Sequence, residues 1–162
     1  MIDATSYKAG MRQLTAGVTL VTTLGADSRR SGLTATAVCS VSAEPPILLV
    51  CVNRHSGSYA AIRDAKRFAV NVLAAADVDL SNRFASATAG EERFLHGKWD
   101  QLTTGAPTLA NALAVFDCEL LEVKDMGSHG VFFGQVVDVR VLTDDLPPLL
   151  YGEGNYGTLT DL

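Results

Sequence analysis

Between Gly32 and Val41 the chain reads GLTATAVCSV, and Thr34, Thr36 and Ser40 alternate there with Ala35, Ala37 and Cys39. A strand normally fills space with Val, Ile or aromatic side chains. A strand that is small on both faces is approached closely, either by a flat ligand or by another backbone. After one further apolar stretch, Ile47 to Val52, comes Asn53-Arg54-His55-Ser56-Gly57-Ser58, directly before a helical segment that starts at Tyr59. Free N–H groups at a helix start, with hydroxyls beside them, suit an anion such as a phosphate. Asn53, Ser56 and Ser58 are the residues such a site would use. The same turn also fits a polar loop with an ordinary helix cap. A flat ring on the strand with a phosphate at the turn describes a bound nucleotide cofactor; a packed strand with a cap describes none.

The elements that must hold these residues are mostly strands. The chain has 162 residues, of which 48% are hydrophobic and 19% charged, with a net charge of −5. That size and balance suit one globular domain spanning 1–162. The acidic balance, without any basic run, argues against a nucleic-acid surface. No apolar stretch approaches the length of a membrane span, and MIDATSYKAG lacks the basic and apolar regions of a secretory signal. Cys39, Cys51 and Cys118 are scattered on apolar strands and read as buried small hydrophobes in a reducing compartment, so a cytoplasmic location is expected. His55 and His96 have no partners at ligand spacing, and no metal site is expected.

Tyr7, Met11 and Leu14 have helical spacing within Asp3 to Ala16, with Thr5 or Ser6 available as a cap. Val18 to Leu24, Gly32 to Val41, Ile47 to Val52 and Arg67 to Leu73 read as strands, and Tyr59 to Asp64 and Asp77 to Ala85 as helices. Ser86 to Thr104 reads as a long loop with a helical turn, anchored by Phe94 and Trp99. Val115 to Val123 and Val131 to Leu142 form a hairpin through Asp125-Met126-Gly127-Ser128, and Leu149 to Tyr151 is a last short strand. Successive strands with few helices favour a barrel over a doubly wound sheet, and the glycine-rich phosphate loops of Rossmann and P-loop folds are missing.

GLTATAVCSVSAEPP, followed by LLVCVN and a Ser-x-Ser turn, resembles the flavin reductase family, the short reductase components of two-component flavin monooxygenases. The likeness extends to FAVNVL (68–73), LSNRFA (80–85), GAPTL (105–109), SHGVFFGQV (128–136) and PLLY (148–151). It implies a mainly β, flavin-binding split barrel, usually a homodimer. It also implies hydride transfer from NADH to FMN or FAD, with the reduced flavin passed to a separate monooxygenase.

On that resemblance Thr34, Ala35, Thr36, Ala37 and Ser40 lie along the isoalloxazine ring. Arg83 matches the family's basic residue in the LxxRF segment and reaches toward the flavin phosphate. His129 matches a histidine that contacts nicotinamide or flavin, a role suited to an imidazole near neutral pH. Such chemistry asks little of side chains, since donor and flavin bring their own reactivity. One departure stands out: the family follows its final strand with a basic, aromatic stretch, whereas here Tyr151 is followed by Gly-Glu-Gly-Asn-Tyr156. The two tyrosines remain, but the tail offers no cation for a 2′-phosphate, so NADH is the expected donor unless Arg12 or Arg54 closes the site. Reduction of another acceptor, such as a cobalt corrin, and non-catalytic flavin binding stay open at this stage.

Overall fold

The computed structural model describes residues 2–87, 90–142 and 145–160. Its helices are α1 (Ala4–Met11), α2 (Gly57–Ala65) and α3 (Val78–Ala85), with short 3-10 turns at Ala75–Asp77 and Gly90–Leu95. Its strands are β1 (Ala16–Gly17), β2 (Thr19–Leu24), β3 (Arg30–Ala35), β4 (Val38–Ala43), β5 (Pro46–Asn53), β6 (Arg67–Val72), β7 (Trp99–Gln101), β8 (Pro107–Leu109), β9 (Ala114–Met126), β10 (His129–Val141), β11 (Leu150–Gly152) and β12 (Asn155–Gly157). Seven of them form one antiparallel sheet in the order β3-β2-β6-β9-β10-β5-β4. The outermost strands of that sheet, β3 and β4, are consecutive in the chain and separated only by Thr36 and Ala37. The sheet must therefore curl until its ends meet. Among the described residues no ladder joins β3 to β4, so the curl is a split barrel rather than a closed one.

Alternation along the central strands sorts their side chains between two cores. Val21, Phe68, Val70 and Phe132 join Val50, Val52 and Ile62 in one buried cluster, against which α2 packs. Leu20, Ala69 and Val18 face the other way, toward Leu80 and Phe84 of α3 and toward Phe94 and Leu109. Truncating a fully buried ring such as Phe132 to Ala should cost about 3–5 kcal/mol. Gly134 of β10 has its own packing reason: a Cβ there would lie 2.5 Å from the Phe68 ring.

Several sequence expectations change in detail. The single strand expected over Gly32–Val41 is broken at Thr36-Ala37, where the chain turns from one sheet edge to the other. The first helix ends at Met11 and is capped by Asp3, whose carboxylate accepts from the amides of Thr5 and Ser6, both at 2.9 Å. Its apolar residues Tyr7 and Met11 are exposed. The loop over 86–104 contains β7, and its anchors behave as expected: the rings of Phe94 and Trp99 lie 4.8 Å apart against Phe84. The β9–β10 turn is Gly127-Ser128, and the positive φ of Gly127 (58°) is what a type II′ turn requires at its first position. Beyond the expected last strand, β12 adds a partner to β11, and with β1 they make a three-stranded sheet. Cys39 is exposed, Cys51 half-buried and Cys118 buried, so the expectation that all three are buried holds only for the last. Burial pushes the Cys118 thiol up to about 12, which leaves it a packing group. No helix is long and apolar enough to cross a membrane among the described residues.

Candidate functional site

The break between β3 and β4 creates the opening in which the site lies. Thr36 sits in the bend, exposed, and Thr34 is half-buried just before it. Across from them runs α3. Its buried residues Leu80, Ser81 and Phe84 face the sheet, so Asn82 and Ala85, three positions apart, face outward together. The C-terminal sheet supplies the third wall. Tyr151 and Tyr156, cross-strand partners on β11 and β12, meet edge to face with ring centroids 5.2 Å apart. Thr34, Thr36, Asn82, Ala85, Tyr151 and Tyr156 line a hollow of about 490 Å³, with Val18 at its base. That volume lies in the ordinary range for a small-molecule site.

Hydrogen bonds fix these walls against one another. The Thr34 hydroxyl donates to the Ser81 carbonyl at 2.6 Å, joining β3 to α3. The Tyr156 hydroxyl donates to Asn82 Oδ1 at 3.0 Å and lies 2.9 Å from the Ser81 hydroxyl, joining the tail to α3. Behind β3, the Arg30 side chain grips the Glu91 carboxylate (2.7 and 2.9 Å), and Arg93 donates to the Gly32 carbonyl. The Arg30 guanidinium holds the Glu91 carboxyl below its usual value.

A second hollow adjoins the first through Asn82. Asp79, Arg83 and Ser86 line it from the adjacent stripe of α3, and His96 faces them. Arg83 is half-buried and has no ion pair or side-chain hydrogen bond among the described residues. A cation in that position suits a phosphate hanging from a ring in the first hollow.

The remaining predicted residues lie elsewhere or are already engaged. Ala35 turns its methyl into the core at 8% exposure, which leaves only its backbone for a ligand. Ala37 is exposed, and its carbonyl accepts from Cys51 N at 3.0 Å. Ser40 borders a separate apolar groove with Val38, Phe116 and Val139. Asn53 Oδ1 accepts from the His55 amide (2.9 Å), and Ser56 caps α2 by accepting from Ser58 N (3.3 Å). Ser58 is 2% exposed, with its hydroxyl 3.0 Å from that of Ser31. The turn is therefore built as a helix start, and its hydroxyls are spent on that. His129 is exposed at the start of β10, opposite Asn53, with Nδ1 2.9 Å from the Ser128 hydroxyl.

The Flavin reductase like domain model matches residues 11–160. The chain belongs to this flavin reductase family. Its relatives include the FMN reductase (NADH) RutF of Agrobacterium fabrum, 43% identical over 94% of this chain and 87% of that protein. Among solved structures, a candidate flavin reductase of Haemophilus somnus superposes with a TM-score of 0.94 at 39% identity, covering 98% of this chain and all of that one. BorF, the flavin reductase component of a bacterial two-component tryptophan halogenase, superposes with a TM-score of 0.89 at 30% identity, over 99% of this chain and 100% of that one.

Of the residues expected from sequence, Thr34, Thr36, Tyr151 and Tyr156 line the first hollow and Arg83 the adjoining one, while Asn82 and Ala85, which line the first hollow, were not expected. Helical phase was the signal for both: once Leu80 and Phe84 face the core, positions 82 and 85 must face the opening. Sequence reasoning also left the tail without a cation. In the fold, the end of α1 supplies two: Lys8 in its last turn and Arg12 at its C-cap border a third hollow with Tyr151 and Glu153. Arg54, the other cation considered, is held by Asp125 at 3.5 Å and by the Gly127 carbonyl.

Proposed function

We propose that this chain is an NADH-dependent flavin reductase that transfers hydride to FMN or FAD and supplies the reduced flavin to a separate monooxygenase. The observation that carries the reading is the opening at Thr34–Thr36. A family match over nearly the whole chain coincides there with a hollow whose walls are small on the strand side and aromatic on the tail side. The residues fit a flavin: Thr34, Thr36 and Ala85 leave room for a flat ring, Asn82 can hydrogen-bond its polar edge, and Arg83 meets its phosphate. When bound, the flavin supplies the electron-accepting ring, and the protein's task is to orient it and leave one face to the nicotinamide. Tyr151 and Tyr156 bound that face. His129, exposed and outside the lining of the hollow, is assigned the nicotinamide carboxamide. Ala35 offers the ring only its backbone, and Ala37, Ser40, Asn53, Ser56 and Ser58 act at a distance from it by holding the neighbouring strands and the α2 start in place.

Two further parts of the reading concern assembly and place. The chain acts as one domain in a homodimer; the support is a stripe of exposed Val137, Val139 and Val141 recurring every second residue on β10. It works in the cytoplasm, in keeping with three unpaired cysteines. Steady-state oxidation of NADH with increasing free FMN tests the function. Turnover that saturates in FMN is expected. Turnover independent of added flavin would indicate a fixed prosthetic group and another acceptor, and no turnover would indicate a binding protein.

A further inference from the structure

We propose that Lys8, Arg12 and Glu153 form the subsite for the adenosine-diphosphate half of the dinucleotide donor, with Glu153 discriminating against a 2′-phosphate. The inference deepens the reading as an NADH-dependent reductase and rests on it. The third hollow, about 280 Å³, is bordered by all three side chains and shares Thr36, Tyr151 and Gly154 with the ring hollow. A donor whose nicotinamide lies over the flavin ring in the first hollow therefore continues into the third. Beyond the nicotinamide ribose such a ligand carries a doubly charged pyrophosphate, which needs cations.

Lys8 in the last turn of α1 and Arg12 at its C-cap stand four positions apart, and Arg12 keeps a helical backbone (φ −64°, ψ −22°), so the two residues share one face. Both are exposed and free of ion pairs among the described residues, whereas Arg30, Arg54, Arg63 and Arg140 each hold a carboxylate. The turn that carries Glu153 is tied to this helix end, because the Glu153 amide donates to the Arg12 carbonyl at 2.8 Å. Glu153 has a left-handed backbone (φ 52°), and Gly152 packs so closely that a Cβ would lie 2.5 Å from the Thr15 hydroxyl. The backbone that carries Glu153 is thus fixed against the helix end, on the rim of the hollow that Lys8 and Arg12 also border.

The pattern then reads chemically. Two cations attract the pyrophosphate, and a carboxylate accepts from ribose hydroxyls while repelling a phosphate in the same place. A basic residue in a last helical turn also complements the helix dipole. That role suits Lys8 and Arg12 alike, and does not explain why Glu153 borders the same hollow, continuous with the ring site. The dipole at this helix end repels anions, so the side chains must supply all the attraction.

Calorimetric titration with ADP-ribose and with its 2′-phosphate tests the subsite without any turnover. ADP-ribose should bind the wild-type protein more tightly than its phosphorylated form. The Lys8→Ala, Arg12→Ala double variant should weaken ADP-ribose roughly tenfold, the scale of a lost charge-assisted contact. Glu153→Gln should bring the two ligands closer together. In kinetics, the double variant should lower the ratio of kcat/KM for NADH to that for N-benzyl dihydronicotinamide, which carries no phosphate. Unchanged ADP-ribose binding, or an equal fall for both donors, would overturn the proposal. A wild-type protein that binds ADP-ribose through these residues yet reduces no flavin would leave the subsite standing and contradict the reductase reading instead.

Discussion

The turn at 53–58 and the bend at 34–36 carry similar polar side chains, yet the first is saturated by its own neighbours and the second is open. In the turn, Asn53 and Ser56 accept amides two residues ahead, and Ser58 is sealed against Ser31. At the bend, the Thr34 hydroxyl reaches α3, and Thr36 faces a hollow walled by elements from three distant parts of the chain. Short-range geometry consumes the hydroxyls of a helix start. A ligand site needs groups whose partners are missing until the whole fold brings them to one place.

The largest expected effect comes from filling the open region. Ala85→Trp places an indole in the ring hollow and should weaken flavin binding by about 1–3 kcal/mol, the cost of overfilling a packed site. Fluorescence titration of FMN reads this directly. The Ser56→Ala, Ser58→Ala double variant should instead lower the melting temperature, through loss of a cap worth about 1 kcal/mol, while leaving FMN affinity almost intact. Flavin affinity that follows the serines and ignores Ala85 would move the site to the turn.

An effect of comparable size on FMN, but absent for riboflavin, concerns Arg83. Removing its guanidinium should cost FMN about 1.5–3 kcal/mol and leave riboflavin unaffected, since only FMN presents a phosphate for a charge-assisted bond. Parallel titrations of the two flavins measure the gap. If Arg83→Ala leaves the gap in place and the serine variant closes it, the phosphate belongs to the α2 start.

The smallest effect lies behind the bend. The Glu91 carboxyl is depressed by Arg30, so this clamp contributes stability above the ordinary carboxylate value of 4.5 and loses it as pH falls through the lower folded value. The pair is partly exposed, and its worth is below about 1 kcal/mol. Glu91→Gln should lower Tm at neutral pH, and the difference from wild type should shrink on acidification. A difference that grew in acid would contradict the sign.

Much of the fold was legible because it follows local patterns. Apolar and β-branched runs marked β2, β5, β6, β9 and β10, and the apolar positions Val78, Leu80 and Phe84 marked α3. The break at Thr36-Ala37 was not legible, since Thr-Ala-Thr-Ala carries no turn residue; only closure of the curled sheet demands it. β12 was missed because Asn-Tyr-Gly is too short to show a period, and its pairing depends on Tyr151 across the strand. That Thr34 and Thr36 line an opening could be read from the small side chains around them. Lys8 and Arg12 could not, because nothing local says that residue 12 will border residue 153.

Anaerobic stopped-flow mixing with NADH, followed by loss of visible flavin absorbance, tests the central claim most directly. For the wild-type protein with FMN, reduction should be far faster than in free solution and should saturate with NADH. Ala85→Trp should lose that acceleration at flavin concentrations that saturate the wild type, while the Ser56→Ala, Ser58→Ala variant keeps it. No acceleration by the wild-type protein, or acceleration that survives Ala85→Trp and disappears with the serines, would contradict the account.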